Sequence, residues 1–216
     1  MTLEDLIAGF RAVATASVSD AVDSITGKRG YMDAAIKPRI NDQKIAGPAV
    51  TITEVATPEF LPPQFALDAI DESPAGSVIC ISVEGDENVA VWGGLMTAGA
   101  RSNKHEAAVL DGAVRDITEI RRDYDFPVFA RAASPGTTLG RYKTVAMNET
   151  ALIGGITVHP GDIIVGDLDG VVVVLHAQAA EVLAMAREID QRELEQAKLI
   201  VASGSLRGGL AKYGRI

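Results

Sequence analysis

The sequence predicts a single α/β domain that ends in a long helix. Two observations carry this prediction. Helical and strand patterns are interleaved along the chain, and no internal repeat, low-complexity tract or linker divides its 216 residues. A chain of this length can bury one full hydrophobic core. Hydrophobic residues make up 47% of it and charged residues 23%, which is the balance of a globular rather than a disordered protein.

The N-terminal half alternates between helical and strand patterns. Apolar spacing predicts one helix over residues 3–14 and a second that begins at residues 17–20, capped by Ser19 or Asp20. Residues 49–53 and 77–83 are predicted strands, and the nearly continuous apolar run of the latter indicates burial on both faces. The further predicted elements are a proline-rich loop at 58–63, helices at 64–70, 90–103 and from Asp116, and short strands at 107–110 and 128–130.

The second half is predicted to be mostly strand until the long helix begins. Residues 156–158, 162–165 and 171–175 are predicted strands, and the turn residues at 159–162 and 167–170 separate them. An amphipathic helix is predicted over 177–202. The glycine-rich tail that starts at about Gly204 is expected to be loosely ordered, within one domain spanning 1–216.

Charge and composition exclude several classes of protein. The net charge of −9 argues against nucleic-acid binding, because the phosphate backbone would repel this chain. No apolar run reaches the roughly 18 to 20 residues that span a bilayer, and the N-terminus is acidic where a secretory signal is basic. The one cysteine, Cys80, can form no internal disulfide and is expected in the core. We therefore expect a cytoplasmic enzyme or binding protein.

Two short segments carry the residues best suited to chemistry. Gly93 and Gly94 open a turn, and Arg115-Asp116 follows an apolar strand, with Glu119 three positions further on. A guanidinium can hold a carboxylate in a two-pronged geometry, and an Asp can bind a hard cation such as magnesium. This combination suits an enzyme that handles a 2-oxo acid.

Each of these residues also has a purely structural interpretation. Asp116 and Glu119 have the spacing of a capping box, and Arg115 could form a structural ion pair. His105, His159 and His176 lack the spacing of metal ligands and are expected at the surface or in turns. The other polar or aromatic residues are assigned structural roles: Trp92 packing at an interface, Asp167 and Asp169 shaping a hairpin turn, Asp20 and Asp23 capping helices.

The chain resembles the regulator of ribonuclease activity A-like proteins, which include the metal-dependent 4-hydroxy-4-methyl-2-oxoglutarate aldolases. The order and spacing of several segments carry the resemblance: residues 19–23, 47–51, 90–95, 111–116, 127–130, 160–164 and 167–171. The resemblance implies a compact layered β/β/α fold of the swivelling-domain type. It also implies assembly as a homotrimer or homohexamer with active sites between subunits.

The aldolases of this family carry an acidic residue, twenty residues, then Arg-Asp, and that acidic position falls on Gly94 here. A second pattern in the family has glycine there and an acidic residue three positions after the Asp. Gly94 and Glu119 match this second pattern. The resemblance therefore favours an active enzyme over a degenerate relative.

The resemblance also implies a role for each site residue. The backbone N–H groups of Gly94, Leu95 and Met96 would hold the substrate carboxylate at a helix start, and Arg115 would hold the keto or enolate oxygen. Asp116 would bind Mg²⁺, Mn²⁺ or another divalent cation that stabilises the enolate. Glu119 would hold the water that takes the proton of the C4 hydroxyl. Glu193, on the C-terminal helix of a neighbouring subunit, would reach the metal through water, with Glu188 as the other candidate.

Two functions remain open at this point. The first is a metal-dependent class II pyruvate aldolase with oxaloacetate decarboxylase activity, acting on a small 2-oxo acid. The second is a non-catalytic regulator that binds a ribonuclease or a helicase, which an acidic surface would suit. Retention of Arg115, Asp116 and Glu119 favours the enzyme.

Overall fold

Strands and helices alternate along residues 1–214, which are the residues that the computed structural model describes. The strands are β1 (Lys37–Pro38), β2 (Ile45–Ala56), β3 (Val78–Ser82), β4 (Ala90–Trp92), β5 (Ala107–Val114), β6 (Val128–Ala133), β7 (Tyr142–Met147), β8 (Ala151–Ile153), β9 (Ile156–Val158), β10 (Ile163–Asp167) and β11 (Gly170–Val174). The helices are α1 (Leu3–Ala12), α2 (Thr15–Thr26), α3 (Gln64–Glu72), α4 (Gly94–Ser102), α5 (Ile117–Asp123), α6 (Ala179–Ser203) and α7 (Leu206–Tyr213).

One large sheet forms the framework of the domain. Its strand order is β1-β6-β5-β3-β2-β10-β11, with β4 added beside β5 and β7 beside β2. The sheet curls so that its two ends approach each other. An isolated β-bridge between Tyr31, in the segment before β1, and Val172 of β11 shows this approach. Strands β2, β3, β5 and β6 are parallel neighbours, as are β4 and β5. The carboxyl ends of parallel strands meet at one edge, which is where open α/β sheets bind ligands.

Three apolar clusters hold the layers together. Helices α3, α4 and α5 pack on one face of the parallel strands, and α1, α2 and α6 pack on the strands around β10 and β11. A third cluster lies between the opposite face of the sheet and the small β8–β9 hairpin. All five residues of β3 and all eight of β5 are buried, as parallel strands covered on both faces require. The fold is thus the predicted layered α/β domain with a long C-terminal helix.

Several predicted boundaries were wrong, and tertiary contacts explain them. Helix α2 begins at Thr15 with Ala14 at the cap position, so Ser19 and Asp20 lie inside the helix and do not cap it. Residues 90–92 form strand β4 rather than the start of a helix, because they pair with the end of β5. Strand β5 extends to Val114 rather than ending at Leu110.

The C-terminal segment is helical where the sequence predicts a loose tail. Helix α6 ends at the left-handed Gly204, and Ser205 then caps α7 by accepting a hydrogen bond from the N–H of Gly208 at 3.0 Å. Gly209 packs so closely on α6 that an added Cβ would lie 2.8 Å from Ile200. Arg215 and Ile216, also part of the predicted tail, lie outside the described residues. No helix within residues 1–214 has the length and apolarity needed to cross a membrane.

Candidate active site

The candidate site lies where two neighbouring parallel strands end. Strand β4 leads through Gly93 into α4, and β5 leads through Arg115 and Asp116 into α5. The backbone N–H of Arg115 donates to the carbonyl oxygen of Trp92 at 3.0 Å, so the two strand ends are tied to each other. The sheet therefore places the start of α4 directly beside the Arg-Asp pair.

A buried network fixes the turn between β4 and α4. The indole N–H of Trp92 donates to the hydroxyl of Thr97 at 2.8 Å, and that hydroxyl donates to the carbonyl oxygen of Gly93 at 3.0 Å. Trp92 also stacks on Phe126, with ring centroids 6.1 Å apart. The prediction that Trp92 packs at an interface was wrong, because its side chain is fully buried in the core of this chain. Thr97 was not predicted, since its role depends on a partner that only the folded turn provides.

Asp116 adopts a backbone conformation that aims its carboxylate at α4. Its φ of 57° is left-handed, a region that Asp and Asn enter more readily than other non-glycine residues. Its Oδ2 accepts a hydrogen bond from the backbone N–H of Gly94 at 2.9 Å. At the start of its own helix, α5, it makes no side-chain cap. The capping-box interpretation of Asp116 and Glu119 was therefore wrong.

Gly93 is glycine because the Arg-Asp pair lies against it. A Cβ at this position would lie 2.7 Å from Oδ2 of Asp116 and 3.2 Å from two atoms of Arg115. At Gly94 a Cβ would lie 3.6 Å from the same oxygen, which is ordinary contact. A side chain at position 94 would thus fit beside Asp116, at the position where the commoner aldolase pattern has its acidic residue.

The guanidinium of Arg115 is free to bind an anion. Its ion pair is with the adjacent Asp116, at 3.6 Å between Nε and Oδ2, and it makes no hydrogen bond to any residue in the described part of the chain. Arg131, by contrast, is held by Asp111 at 2.5 Å and Asp33 at 3.0 Å. Arg115 thus has only a long, half-exposed ion pair, whereas Arg131 is locked into the structure.

A cavity of about 280 Å³ opens in front of these groups. The predicted site residues Gly94, Leu95, Met96, Arg115 and Asp116 all line it. Small-molecule sites are typically about 300–1,000 Å³, so this cavity suits a small substrate. The remaining lining residues are Pro62, Pro63, Leu67, Ala90, Val91, Trp92, Gly93, Thr137, Thr138 and Leu139.

The backbone N–H groups at the start of α4 differ in whether they have a hydrogen-bond acceptor within the protein. The N–H of Gly94 donates a hydrogen bond to Asp116, whereas we expected it to donate to the substrate carboxylate. The N–H groups of Leu95 and Met96 have no acceptor within residues 1–214. They are the donors at this helix start that remain available to an anion.

The structure does not bring Glu119 or Glu193 into the cavity. Glu119 lies on the first turn of α5 and Glu193 midway along α6, and both are exposed. Within residues 1–214, no group of three or more His, Cys, Asp or Glu side chains could hold a metal ion. Asp116 is the acidic residue that this chain contributes to the lining of the cavity.

The residues assigned structural roles behave in most cases as expected. Cys80 is fully buried in β3, and burial raises the pKa of its thiol. Asp167 accepts a hydrogen bond from the N–H of Asp169 at 2.9 Å in the β10–β11 turn. His159 is exposed as expected, and its ring contacts the hydroxyl of Thr150 at 2.9 Å. His105 is instead buried, with its ring 2.8 Å from the carbonyl oxygen of Ile70.

Glu54 is a buried acidic residue that the sequence patterns did not predict. It lies near the end of β2 with no exposed surface, and neither carboxylate oxygen has a hydrogen-bond partner. Burial raises the pKa of Glu54 to about 7. The available signal was alternation: Glu54 follows Val50 and Ile52 on the inward face of a strand that was predicted to end at residue 53.

Comparison with known proteins identifies the family. A family model described as "RraA-like: Aldolase/RraA" matches residues 15–173. The chain belongs to the RraA-like family. A relative from Halalkalibacterium halodurans, named "Putative 4-hydroxy-4-methyl-2-oxoglutarate aldolase", is 35% identical over 187 residues, covering 85% of this chain and 83% of the relative.

Solved structures show the same RraA-like architecture. A protein from Pseudomonas syringae pv. tomato superposes with a TM-score of 0.88 at 31% identity, covering 98% of this chain and 95% of that one. RraAS2 of Streptomyces coelicolor, described as an unusual member of the RNase ES inhibitor RraA family, superposes with a TM-score of 0.79. At 22% identity, over 89% of this chain and 96% of its own, RraAS2 shows the fold alone.

Proposed function

We propose that this protein is a divalent-metal-dependent pyruvate aldolase that cleaves 4-hydroxy-2-oxo acids of the 4-hydroxy-4-methyl-2-oxoglutarate type and decarboxylates oxaloacetate. The observation that carries the proposal is the convergence of three kinds of group on one small cavity. These are the guanidinium of Arg115, which makes a long ion pair with Asp116 but no hydrogen bond within residues 1–214, the N–H groups of Leu95 and Met96, and the carboxylate of Asp116. The name of the relative from H. halodurans supports the same reaction.

Substrate binding would use the positive charge at one end of the cavity. The carboxylate of a 2-oxo acid would accept hydrogen bonds from the N–H groups of Leu95 and Met96, at the positive end of the α4 dipole. Arg115 would hold the adjacent keto oxygen. Because the guanidinium is permanently charged, it would also stabilise negative charge that develops on this oxygen in the transition state.

The residues present fit a divalent cation held by few protein ligands. Asp116 offers its Oδ1, which has no hydrogen-bond partner within residues 1–214, while Oδ2 is held by Gly94. Magnesium commonly binds through one or two carboxylates and keeps several waters. Asp116 would hold the ion, with Glu193 of the neighbouring subunit proposed as an outer partner through water. When bound, the cation would supply positive charge next to the keto oxygen.

Retro-aldol cleavage would begin at the C4 hydroxyl of the substrate. The C4 hydroxyl loses its proton, the C4–O bond becomes a carbonyl, and the C3–C4 bond breaks. The electron pair of that bond passes to the enolate of pyruvate, which takes a proton at C3. From outside the lining of the cavity, Glu119 would hold the water that accepts the hydroxyl proton, which is the role that the family resemblance implies for it. In oxaloacetate the bond that breaks releases carbon dioxide, so this proton transfer is not needed.

The test is release of pyruvate by the purified protein. We expect pyruvate from both 4-hydroxy-4-methyl-2-oxoglutarate and oxaloacetate in an assay coupled to lactate dehydrogenase, lost on chelation with EDTA and restored by Mg²⁺. Full activity after chelation would contradict the metal requirement. Absence of pyruvate with any 2-oxo acid would contradict the aldolase and leave the non-catalytic regulator as the working hypothesis.

A matched pair of variants tests the role of Asp116. Asp116→Asn should reduce turnover to background and leave the melting temperature unchanged, because the amide oxygen can still accept the hydrogen bond from Gly94. Asp123→Asn, at the far end of the same helix, removes an exposed carboxylate that pairs with Arg122 and should retain activity. Equal activity of the two variants would remove Asp116 from the mechanism.

A further inference from the structure

We infer that the hydroxyl of Thr138 binds the second carboxylate of the substrate, at the end away from the 2-oxo group. Both 4-hydroxy-4-methyl-2-oxoglutarate and oxaloacetate carry this second carboxylate. The role rests on the proposed function and adds a substrate-binding residue to it. The observation behind it is a hydroxyl without a partner, on a nearly buried residue that lines the candidate cavity.

The hydroxyl of Thr138 has an accessible side that opens on the cavity. Thr138 is 6% exposed and belongs to the lining. Its hydroxyl makes no hydrogen bond within residues 1–214, yet its oxygen is not completely enclosed, in contrast to the carboxylate oxygens of Glu54. Nearly buried polar groups without a partner are uncommon in folded proteins. A ligand in the cavity can therefore supply the partner that this hydroxyl lacks.

The backbone around Thr138 is fixed by contacts on both sides. Its carbonyl oxygen accepts hydrogen bonds from the N–H groups of Arg141 and Tyr142, each at 2.8 Å. Two residues earlier, the carbonyl oxygen of Gly136 accepts a hydrogen bond from the N–H of Ala90 in β4 at 2.9 Å. Because the residue is already held in place, little conformational entropy is lost when its hydroxyl binds a ligand.

Thr138 and Arg115 lie on opposite sides of β4. This strand pairs with β5 along one edge and, through a bridge between Ala90 and Thr137, with the loop between β6 and β7 along the other. Arg115 follows β5, so the two segments are separated by two inter-strand spacings, about 10 Å. Side chains reach into this gap from both segments. A short dicarboxylate whose 2-oxo end is held by Arg115 and the start of α4 therefore extends across β4 toward Thr138.

A hydroxyl suits a carboxylate, because hydrogen bonds to charged groups are stronger than those between neutral groups. The second carboxylate of 4-hydroxy-4-methyl-2-oxoglutarate stays charged throughout aldol cleavage and becomes the carboxylate of a second pyruvate. The hydrogen bond from Thr138 would therefore stabilise bound substrate and transition state equally, which lowers KM and leaves kcat unchanged. A neighbouring subunit can add further groups at this end of the cavity without removing the hydroxyl of Thr138.

Two non-cleavable analogues that differ in one group provide the test. They are 2-oxoglutarate, which has the second carboxylate, and 2-oxopentanoate, in which a methyl group replaces it. Calorimetric titrations use the full-length protein with Mg²⁺ present. We expect Thr138→Val to weaken binding of 2-oxoglutarate at least about tenfold, as loss of a hydrogen bond to a charged group does, and to leave binding of 2-oxopentanoate unchanged. Equal changes for both analogues, no change for either, or no binding of 2-oxoglutarate by the wild type would overturn the inference.

Two control variants separate the hydroxyl from the fold. Thr138→Ser keeps the hydroxyl and should bind 2-oxoglutarate as the wild type does. Thr157→Val makes the same change at an exposed position of β9, outside the lining, and should leave both affinities unchanged. Thr138→Ala repeats the comparison if Thr138→Val folds poorly. Binding of 2-oxoglutarate by Thr138→Ser that is as weak as binding by Thr138→Val would also overturn the inference.

The pyruvate assay distinguishes failure of this inference from failure of the proposed function. Thr138→Val should raise the KM for 4-hydroxy-4-methyl-2-oxoglutarate at least about tenfold with kcat unchanged, the pattern of a lost uniform binding interaction. If the wild type releases pyruvate and Thr138→Val has the same KM, the aldolase stands and the role of Thr138 falls. If no 2-oxo acid yields pyruvate but Thr138→Val selectively weakens 2-oxoglutarate binding, the aldolase falls and the carboxylate site stands.

Discussion

Glu54→Gln should stabilise this protein, and the gain should grow as the pH rises. The carboxyl of Glu54 is fully buried and has no hydrogen-bond partner, so the folded protein disfavours its charged form. Burial raises its pKa from an ordinary value of 4.5 to about 7. Glutamine has a similar shape and no charge at any pH.

The direction and size of the effect follow from these two pKa values. Between pH 4.5 and 7 the folded state holds the Glu54 proton more tightly than the unfolded state, so the free energy of unfolding decreases as the pH rises. Above pH 7 the folded protein bears the full free-energy cost of burying the charged carboxylate of Glu54. At 1.36 kcal/mol per pKa unit, the gain from Glu54→Gln is about 1 kcal/mol at pH 5 and about 3 kcal/mol at pH 8.

Urea denaturation at fixed protein concentration measures this difference. The wild type and Glu54→Gln are compared at pH 5, 6.5 and 8, with Glu59→Gln as the control. Glu59 is an exposed acidic residue whose pKa is lowered by Lys143, so its variant should show no gain at pH 8. A gain for Glu54→Gln that does not change with pH, or a loss of stability at pH 8, would refute the reasoning.

Three further predictions concern the site and the assembly. Gly93→Ala should reduce activity with little change in melting temperature, because the new Cβ would lie 2.7 Å from the movable carboxylate of Asp116. Gly94→Ala, whose Cβ would lie 3.6 Å from the same oxygen, should lose less activity. A larger loss of activity for Gly94→Ala than for Gly93→Ala would contradict this. Glu119→Gln should slow aldol cleavage ~10²–10⁴-fold, the usual range for general base catalysis, and slow oxaloacetate decarboxylation much less. Equal losses at saturating metal would mean that Glu119 does not hold the base. Light scattering should give a trimer or a hexamer, and an active monomer would exclude a shared site and the role of Glu193.

The sequence predicted the class and order of the main elements because their patterns are local. The buried run of β3, the long α6 and the turn at residues 167–170 were all predicted from periodicity and turn residues. The prediction from sequence failed at residues 90–92, because three apolar residues in a row show neither helical nor strand periodicity. They form a strand because the end of β5 offers them backbone partners. A local sequence pattern cannot show pairing between residues that lie 22 or 23 positions apart, as Trp92 and Val114 or Ala90 and Ala113 do.

The sequence indicated part of the candidate cavity but not the contacts within it. Spacing and family resemblance selected five residues that the structure brings to one cavity. Neither indicated that the carboxylate of Asp116 would accept a hydrogen bond from the N–H of Gly94. Nor did they indicate that the hydroxyl of Thr97 would link the indole N–H of Trp92 to the carbonyl oxygen of Gly93. Both contacts join residues from different elements. The roles of Glu119 and Glu193 stay predictions.

The left-handed backbone of Asp116 gives position 116 two separate constraints on its evolution. Its φ of 57° restricts the residues that fold well there chiefly to Gly, Asn and Asp. A selection for soluble, folded protein should therefore recover all three, whereas a selection for catalysis should recover Asp alone. Glutamate, the obvious acidic replacement, should pass the first selection, because Glu84 adopts a similar left-handed φ of 54° in this chain, but it should fail the second, because its longer side chain displaces the carboxylate. A lineage that abandoned catalysis could thus drift to Asn or Gly in one step while keeping the same fold.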